Sequence, residues 1–356
     1  IKEMECAEAA ISEASPTNLQ QGRAGLGFRH DKQEKIKPRK QILNTIHEGD
    51  CQDQLSHLKS LQMQGSWLKW RDTMFEDLTW KKLLYEGYGR TFSFQLNCVL
   101  NTLPTVDNLR RWGNSVVEQQ CPLCNRQATL RHILSACPTA LHQGRYTWRH
   151  DNVLKCIVKL VNETIQTYQK ATASAETQSK QKRIDYITFC KAGENLPKQP
   201  PSQRKRLNDQ FVTSSADWQV LVDMKDEKLV FPHFIAPTTC RPDIVLFSKE
   251  LRRVLWLELT VCSEDRFAQS REIKIERYRH LHSACVRNGW DTESHTAEVG
   301  ARGAISTSLD SFARSLRCTK EQRRLLRRNC RQAALNSSYV LWLRRRERTW
   351  RDWPLY

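Results

Sequence analysis

The sequence predicts a mixed α/β protein: a helical region with a small Cys/His knuckle, then a mixed-sheet domain that ends in basic helices. Three observations carry this expectation. Apolar residues recur at helical spacing between Ser66 and Leu103 and again over 152–170. Four short β-rich runs, 218–224, 229–234, 243–247 and 254–261, are separated by turn residues. The charge is uneven: residues 241–310 carry eleven basic and eleven acidic side chains, whereas 311–356 carry thirteen basic and three acidic ones.

The whole chain, 356 residues with a formal net charge of +18, is long enough for two or three domains. A field of that sign suits a polyanion such as nucleic acid or, less specifically, an anionic membrane. No apolar run approaches the ~18 residues of a membrane span. The thirteen cysteines are scattered and odd in number, which fits a reducing compartment better than a secreted disulfide framework. The chain opens at Ile1 without a signal peptide, as a fragment of something longer would.

Residues 1–65 are polar and broken by Gly22, Gly25 and Gly27, with the basic run Lys35-Ile36-Lys37-Pro38-Arg39-Lys40. They read as a loose tail, the remnant of an upstream domain. Residues 66–115 form the helical region. Trp67, Trp70, Met74, Phe75, Leu78, Leu83 and Leu84 repeat at helical spacing, followed by Phe92, Leu96, Val99, Leu100 and Leu103. Residues 116–145 hold the knuckle. Residues 146–212 hold a helix marked by Val153, Ile157, Leu160, Val161 and Ile165. A Ser-, Thr-, Gln- and Lys-rich linker follows, with Pro197, Pro200, Pro201 and Arg204-Lys205-Arg206. Residues 213–356 form the sheet domain. In it a helix over 265–286 follows the four β-rich runs, 297–300 is one more short strand, and two helices close the chain. Thr319 and Gln322 have the spacing of a capping box at the start of the last helix.

The knuckle rests on Cys121, Cys124, His132 and Cys137, a C-x2-C-x7-H-x4-C spacing. Two thiolates three residues apart in a tight turn can face one ion, and a His and a Cys on the next short helix complete a tetrahedron suited to zinc. Thr129 is placed to cap that helix and Pro138 to stop it. The set looks closed, so the metal is expected to be structural, and a knuckle this small depends on it to fold.

The sheet region carries a carboxylate pair. Asp243 follows Arg241-Pro242, and Glu258 comes after fourteen intervening residues, with apolar flanks on both. A hairpin turning at Glu250-Leu251 makes residues whose numbers sum to 501 face each other, so Asp243 lies opposite Glu258. Like charges at that spacing repel. A divalent cation, magnesium or manganese, relieves them. On the following helix Phe267, Lys274, Tyr278 and Leu281 share a face. Lys274 is then either a snorkelling lysine at the rim or a cation that reaches over the carboxylates to a phosphate. Arg323, Arg324, Arg327, Arg328 and Arg331 on the last helix, with Arg344, Arg345, Arg346 and Arg348 near its end, read as a surface for backbone phosphates.

In this order the parts resemble the C-terminal region of non-LTR retrotransposon (LINE) proteins of the restriction-like-endonuclease type. There a CCHC zinc knuckle and a PD-(D/E)xK nuclease follow the reverse transcriptase. The resemblance spans roughly 66–356. It rests on the four knuckle residues, on Arg241-Pro242-Asp243, on Leu257-Glu258-Leu259-Thr260-Val261, on the basic stretch from Arg271 through Arg277 to Tyr278, and on the Gly-containing stretch 297–303. Thr260 stands where nucleases of this kind usually carry a lysine; the family shares that departure, and Lys274 is the matching basic residue. The resemblance implies a restriction-endonuclease-like fold and an endonuclease that nicks target DNA so that the exposed 3′-hydroxyl primes reverse transcription of element RNA. Asp243 and Glu258 would hold magnesium or manganese, and Lys274 would face the scissile phosphate. Arg241, Arg271, Arg277, Arg323, Arg324, Arg327 and Arg328 would contact nucleic acid, and zinc would be structural. Implied partners are target DNA, element RNA and a reverse transcriptase supplied by the full-length protein, in the nucleus or in cytoplasm and nucleus. No Asp-Asp pair occurs, so this chain alone is not expected to polymerise. The alternative reading is a zinc-dependent nucleic-acid-binding protein without catalysis, a decayed or domesticated copy. A third is a zinc-dependent scaffold for protein contacts.

Overall fold

The computed structural model describes residues 38–61, 65, 67, 89–114, 120–182, 211–213, 217–225 and 228–353. The tail 1–37, the apolar positions Trp70, Met74, Phe75, Leu78, Leu83 and Leu84, and residues 183–210 of the expected linker 171–210 lie outside them; its first residues, 171–182, are helical. The chain divides into two units, 1–69 and 70–356.

The described part of the first unit corrects one expectation. It is a helix, α1 (Pro38–Ser60), rather than irregular chain. No residue from Gln52 to Ser60 is buried. Leu43, Leu55 and Leu58 are exposed, so no apolar stripe forms. After Pro38 the segment has no further proline and is rich in Leu, Gln, Lys and His, which leaves the helix uninterrupted.

The first described elements of the second unit are α2 (Gly89–Leu100) and α3 (Val106–Arg111). The buried face of α2 is Phe94 and Cys98, spaced i,i+4. Leu96 and Leu100, expected on the packed face, are exposed. A π-helical turn (His132–Ala136) and α4 (Pro138–His142) then lead into the long α5 (Arg145–Lys182).

Four strands form one sheet in the order β1 (Gln219–Val222), β2 (Ile244–Ser248), β3 (Arg253–Cys262), β4 (Asp291–Gly300). The first two pairings are antiparallel and the last is parallel. The crossover between β3 and β4 runs through a 3₁₀ turn (Glu264–Arg266) and α6 (Phe267–Arg287). Helices α7 (Thr307–Ser315) and α8 (Lys320–Leu343) close the chain. Thr319 and Gln322 cap α8 reciprocally as their spacing predicts.

The 229–234 run is not a strand. Pro232 cannot donate to a ladder; instead Phe231 is buried edge-on to Trp256, with centroids 6.3 Å apart.

Period-two alternation along β3 splits the core between the two faces of the sheet. Leu255, Leu257 and Leu259 join Ile244 and Leu246 against Val153, Ile157 and Val161 of α5 and Leu309 and Phe312 of α7. Val254 and Trp256 join Val245 and Phe247 against Tyr278, Leu281 and Cys285 of α6. Helix α5, grouped with the linker on sequence alone, therefore shares a core with the sheet.

The basic face of α8 is partly turned inward. Asp310, 3% exposed, accepts from Arg323 at 2.7 Å and Arg327 at 2.5 Å, and Arg314 lies 2.8 Å away. Arg331 is buried and donates to the Gly303 carbonyl at 2.9 Å. Two of the arginines expected at nucleic acid, Arg323 and Arg327, thus tie α8 to α7. Removing the buried acid strands their charge. Asp310→Ala is expected to cost about 3 kcal/mol of stability, which urea unfolding at neutral pH would measure; a change below about 0.5 kcal/mol would show that the cluster is hydrated and structurally idle.

Candidate active site and metal centre

The knuckle is built by a tight turn. Gln120 bridges Gln127, the Cys121 N–H donates to the Arg126 carbonyl at 2.6 Å, and Asn125 takes the left-handed conformation at φ 56°. Asn is among the few side chains that adopt it readily. Thr129 caps the next turn: its hydroxyl accepts the His132 N–H at 3.1 Å. Pro138 ends that turn and also opens α4, since a proline at the first helical position loses no hydrogen bond.

The donor atoms of Cys121, Cys124, His132 and Cys137 all lie within 4.8 Å of one another. Among the described residues no other group of three or more Cys, His, Asp or Glu is so tight. The Cys121 and Cys137 sulfurs are 3.9 Å apart, and His132 Nε2 is 3.1 Å from the Cys124 sulfur. A tetrahedral zinc with bonds of ~2.3 Å places sulfurs ~3.8 Å apart. The cluster can therefore hold a metal ion such as zinc. Burial pushes the Cys137 thiol up to about 12, with the neighbouring Cys121 and Cys124 adding to it. Burial, with help from Arg126, lowers the His132 pKa from its ordinary value, which favours the neutral form that ligates metals.

The knuckle is sewn into the second unit. The Tyr146 hydroxyl accepts the Cys137 N–H at 3.1 Å and lies 3.0 Å from the Ile133 carbonyl. The fully buried Arg149 donates to the carbonyls of Leu134 at 2.7 Å and Val261 at 3.2 Å, and to the Ser338 hydroxyl. That one side chain links knuckle, β3 and α8.

The second site lies at one end of the β2–β3 hairpin. The register pairs Ile244 with Leu257 and Val245 with Trp256, so every pair sums to 501 as expected. Asp243 stands one residue before β2, next to that register, and Glu258 lies within β3. The Asp243 carboxylate accepts the Leu259 N–H at 2.6 Å. Glu258 is 4% exposed; one of its oxygens pairs with Lys274 Nζ, reaching across from α6. The other, Oε2, is buried and meets no donor among the described residues. Tyr278 lies alongside, but its hydroxyl donates to the Arg241 carbonyl at 3.0 Å. Burial, and then the negative charge of Asp243, push the Glu258 carboxyl above its ordinary range, against the pull of Lys274. A cleft of about 160 Å³ opens beside it, lined by Glu258, Lys274, Tyr278, His282, His295 and Thr296 among others.

Two residues of this site are missing from the sequence reading. His150, from α5, points Nε2 at Asp243 Oδ2, 3.4 Å away, and Nδ1 at Asp151 Oδ1, 3.1 Å away. Burial works against the imidazolium, but Asp243 and Asp151 outweigh it and raise its pKa to about 10.

The remaining arginines divide. Arg271 pairs with the buried Glu298 at 2.8 Å, which also accepts from Ser308. Arg241 is about half exposed and 4.0 Å from Asp223. Arg277, Arg324 and Arg328 are exposed.

No protein-family model and no curated protein sequence matches this chain. No described helix is long and apolar enough to cross a membrane.

Proposed function

We propose that this chain is a metal-dependent DNA endonuclease, the C-terminal part of a non-LTR retrotransposon protein, which nicks target DNA to prime reverse transcription. The observation that carries the reading is the Asp243–Glu258 pair beside Lys274, with one Glu258 oxygen buried and unpartnered. A buried acceptor without a donor costs free energy unless a cation or proton meets it. The donor set is oxygen-rich and fits magnesium or manganese. The mixed sheet, with its parallel last pair and covered faces, agrees with a restriction-like nuclease core.

In this mechanism Asp243 and Glu258 would hold the cation. When bound, it lowers the pKa of an attacking water and draws charge from the phosphate. Lys274 moves from Glu258 to the scissile phosphate, where its ammonium stabilises developing negative charge. The Leu259 N–H fixes the Asp243 carboxylate. The exposed arginines Arg241, Arg277, Arg324 and Arg328 grip backbone phosphates. In the knuckle, zinc is structural: four protein donors close the site.

One observation favours the non-catalytic reading. Lys274 pairs directly with Glu258, as a purely structural ion pair would. The two separate in a nicked-plasmid assay run beside a filter-binding titration. Lys274→Ala is expected to slow nicking by about a hundredfold, as for loss of one electrostatic stabiliser. The double variant Arg324→Ala/Arg328→Ala is expected instead to weaken binding and to flatten its salt dependence by about two phosphate contacts. Salt-dependent binding with no nicking by the parent protein would favour the binding-protein reading.

A further inference from the structure

We infer that the segment after α8, residues 344–353, is a platform for single-stranded nucleic acid, on which an unpaired base stacks against Trp353 while exposed arginines meet the backbone phosphates. The inference goes beyond the nuclease reading and needs neither the Asp243–Glu258 pair nor a cation there.

The segment has neither helix nor strand, and a stretch of that kind is ordered only when something ties it down. Here side chains from α5 and the residues before it do so. Arg145, 2% exposed, donates to the carbonyls of Arg344 at 2.9 Å and Glu347 at 2.5 Å. Gln143 donates to the Arg348 carbonyl at 2.7 Å, and Trp148 Nε1 to the Trp353 carbonyl at 3.1 Å. Four carbonyls are thus fixed, and what the segment displays is held in place.

The tryptophans divide by role. Trp350 belongs to the fold: the guanidiniums of Arg145 and Arg344 lie 5.0 and 4.9 Å from its ring centroid, and the buried Trp148 meets it edge-on at 5.4 Å. Trp353 is 51% exposed, and its one ring or cation contact among the described residues is Arg344, 5.7 Å from the centroid. A ring already held in place loses little freedom when a base stacks on it.

The charge around this ring selects the partner. Both acids of the segment are matched, Glu347 by Arg344 and Asp352 by Lys225, each at 2.6 Å. Arg346, Arg348 and Arg351 are exposed and pair with no acid among the described residues. A stacking ring beside free guanidiniums fits a chain of bases and phosphates. The strand is single because paired bases are covered by their neighbours, whereas unpaired ones offer a π-face.

The test uses the zinc-loaded full chain without added magnesium or manganese, and reads the anisotropy of labelled thymidine strands of about 12 nucleotides. The parent protein is expected to bind the strand about tenfold more tightly than an abasic strand of equal length, within the range that base stacking supplies. Trp353→Ala is expected to lose about tenfold of single-strand affinity with duplex affinity within about twofold, and Trp353→Phe to recover most of the loss. Replacing Arg346, Arg348 and Arg351 by Gln is expected to weaken binding and to lower its logarithmic salt slope by about two. Equal affinity of the parent for thymidine and abasic strands would overturn the stacking site, whether or not a variant folds. So would Trp353→Ala that binds the strand like the parent, or that loses strand and duplex alike. Nicking is not read in this experiment, so its failure leaves the nuclease reading standing, and a chain that never nicks can still pass it.

Discussion

Asp243→Ala is expected to reduce metal-dependent nicking by on the order of a thousandfold or more, while DNA affinity stays within a few-fold. A thousandfold is about 4 kcal/mol of barrier, within reach of losing a metal's charge stabilisation and activated water together. The substitution takes a partner from His150 and an acceptor from the Leu259 N–H, and, on the proposed mechanism, one carboxylate from the cation. It leaves the exposed Arg324 and Arg328 on another part of the unit untouched, and phosphate contacts of that kind dominate affinity. Asp243 is on the rim of the core rather than in it, with a side chain 13% exposed, so the variant is expected to fold. Zinc content and a melting curve would check that it does. Nicking at the parent rate would place the chemistry elsewhere.

The second large effect concerns the knuckle. Cys137→Ser is expected to lose the bound zinc and to lower the melting temperature of the whole second unit by roughly 10 °C, as a loss of about 4 kcal/mol would. Structural zinc supplies folding free energy directly. Here the effect should spread, because the knuckle's buried residues Cys121, Ala128 and Cys137 pack with Trp148 of α5 and Leu341 of α8. Zinc analysis and scanning calorimetry measure both quantities. Full zinc retention would mean that the four ligands are misassigned.

The parts legible in the sequence were those with a short-range signal. The β2–β3 register follows from two apolar runs joined by a short turn, and Lys274 from its place on the apolar stripe of α6. The Cys/His spacing marked the knuckle, and Thr319 with Gln322 marked the start of α8. The less legible parts depend on what packs from afar. β4 runs for ten residues, but it is an edge strand among the described ones and its first six residues, Asp291 to Thr296, are polar; only 297–300 read as a strand in the sequence. Charge counting found the basic surplus of α8 without showing which face it uses. Arg323, Arg327 and Arg331 follow an i,i+4 row that faces Asp310 and Gly303, while Arg324 and Arg328 face outward.

The same periodicity could have found His150. The buried stripe of α5 extends backward from Ile157 and Val153 to Arg149 and Arg145, both buried, with His150 three residues before Val153. Polar residues on an apolar stripe need partners. What the sequence cannot supply is the identity of those partners. Arg149 finds carbonyls 15 and 112 residues away, and His150 finds Asp243 across the fold.

The most direct measurement of the central claim is nicking of supercoiled plasmid by the zinc-loaded protein, with magnesium or manganese and with a chelator selective for them over the buried zinc. The Asp243–Glu258–Lys274 site predicts conversion to open circles that requires the added cation and disappears in Glu258→Gln. Nicking that persists in Glu258→Gln, or no nicking by parent protein that binds the same plasmid, would contradict it.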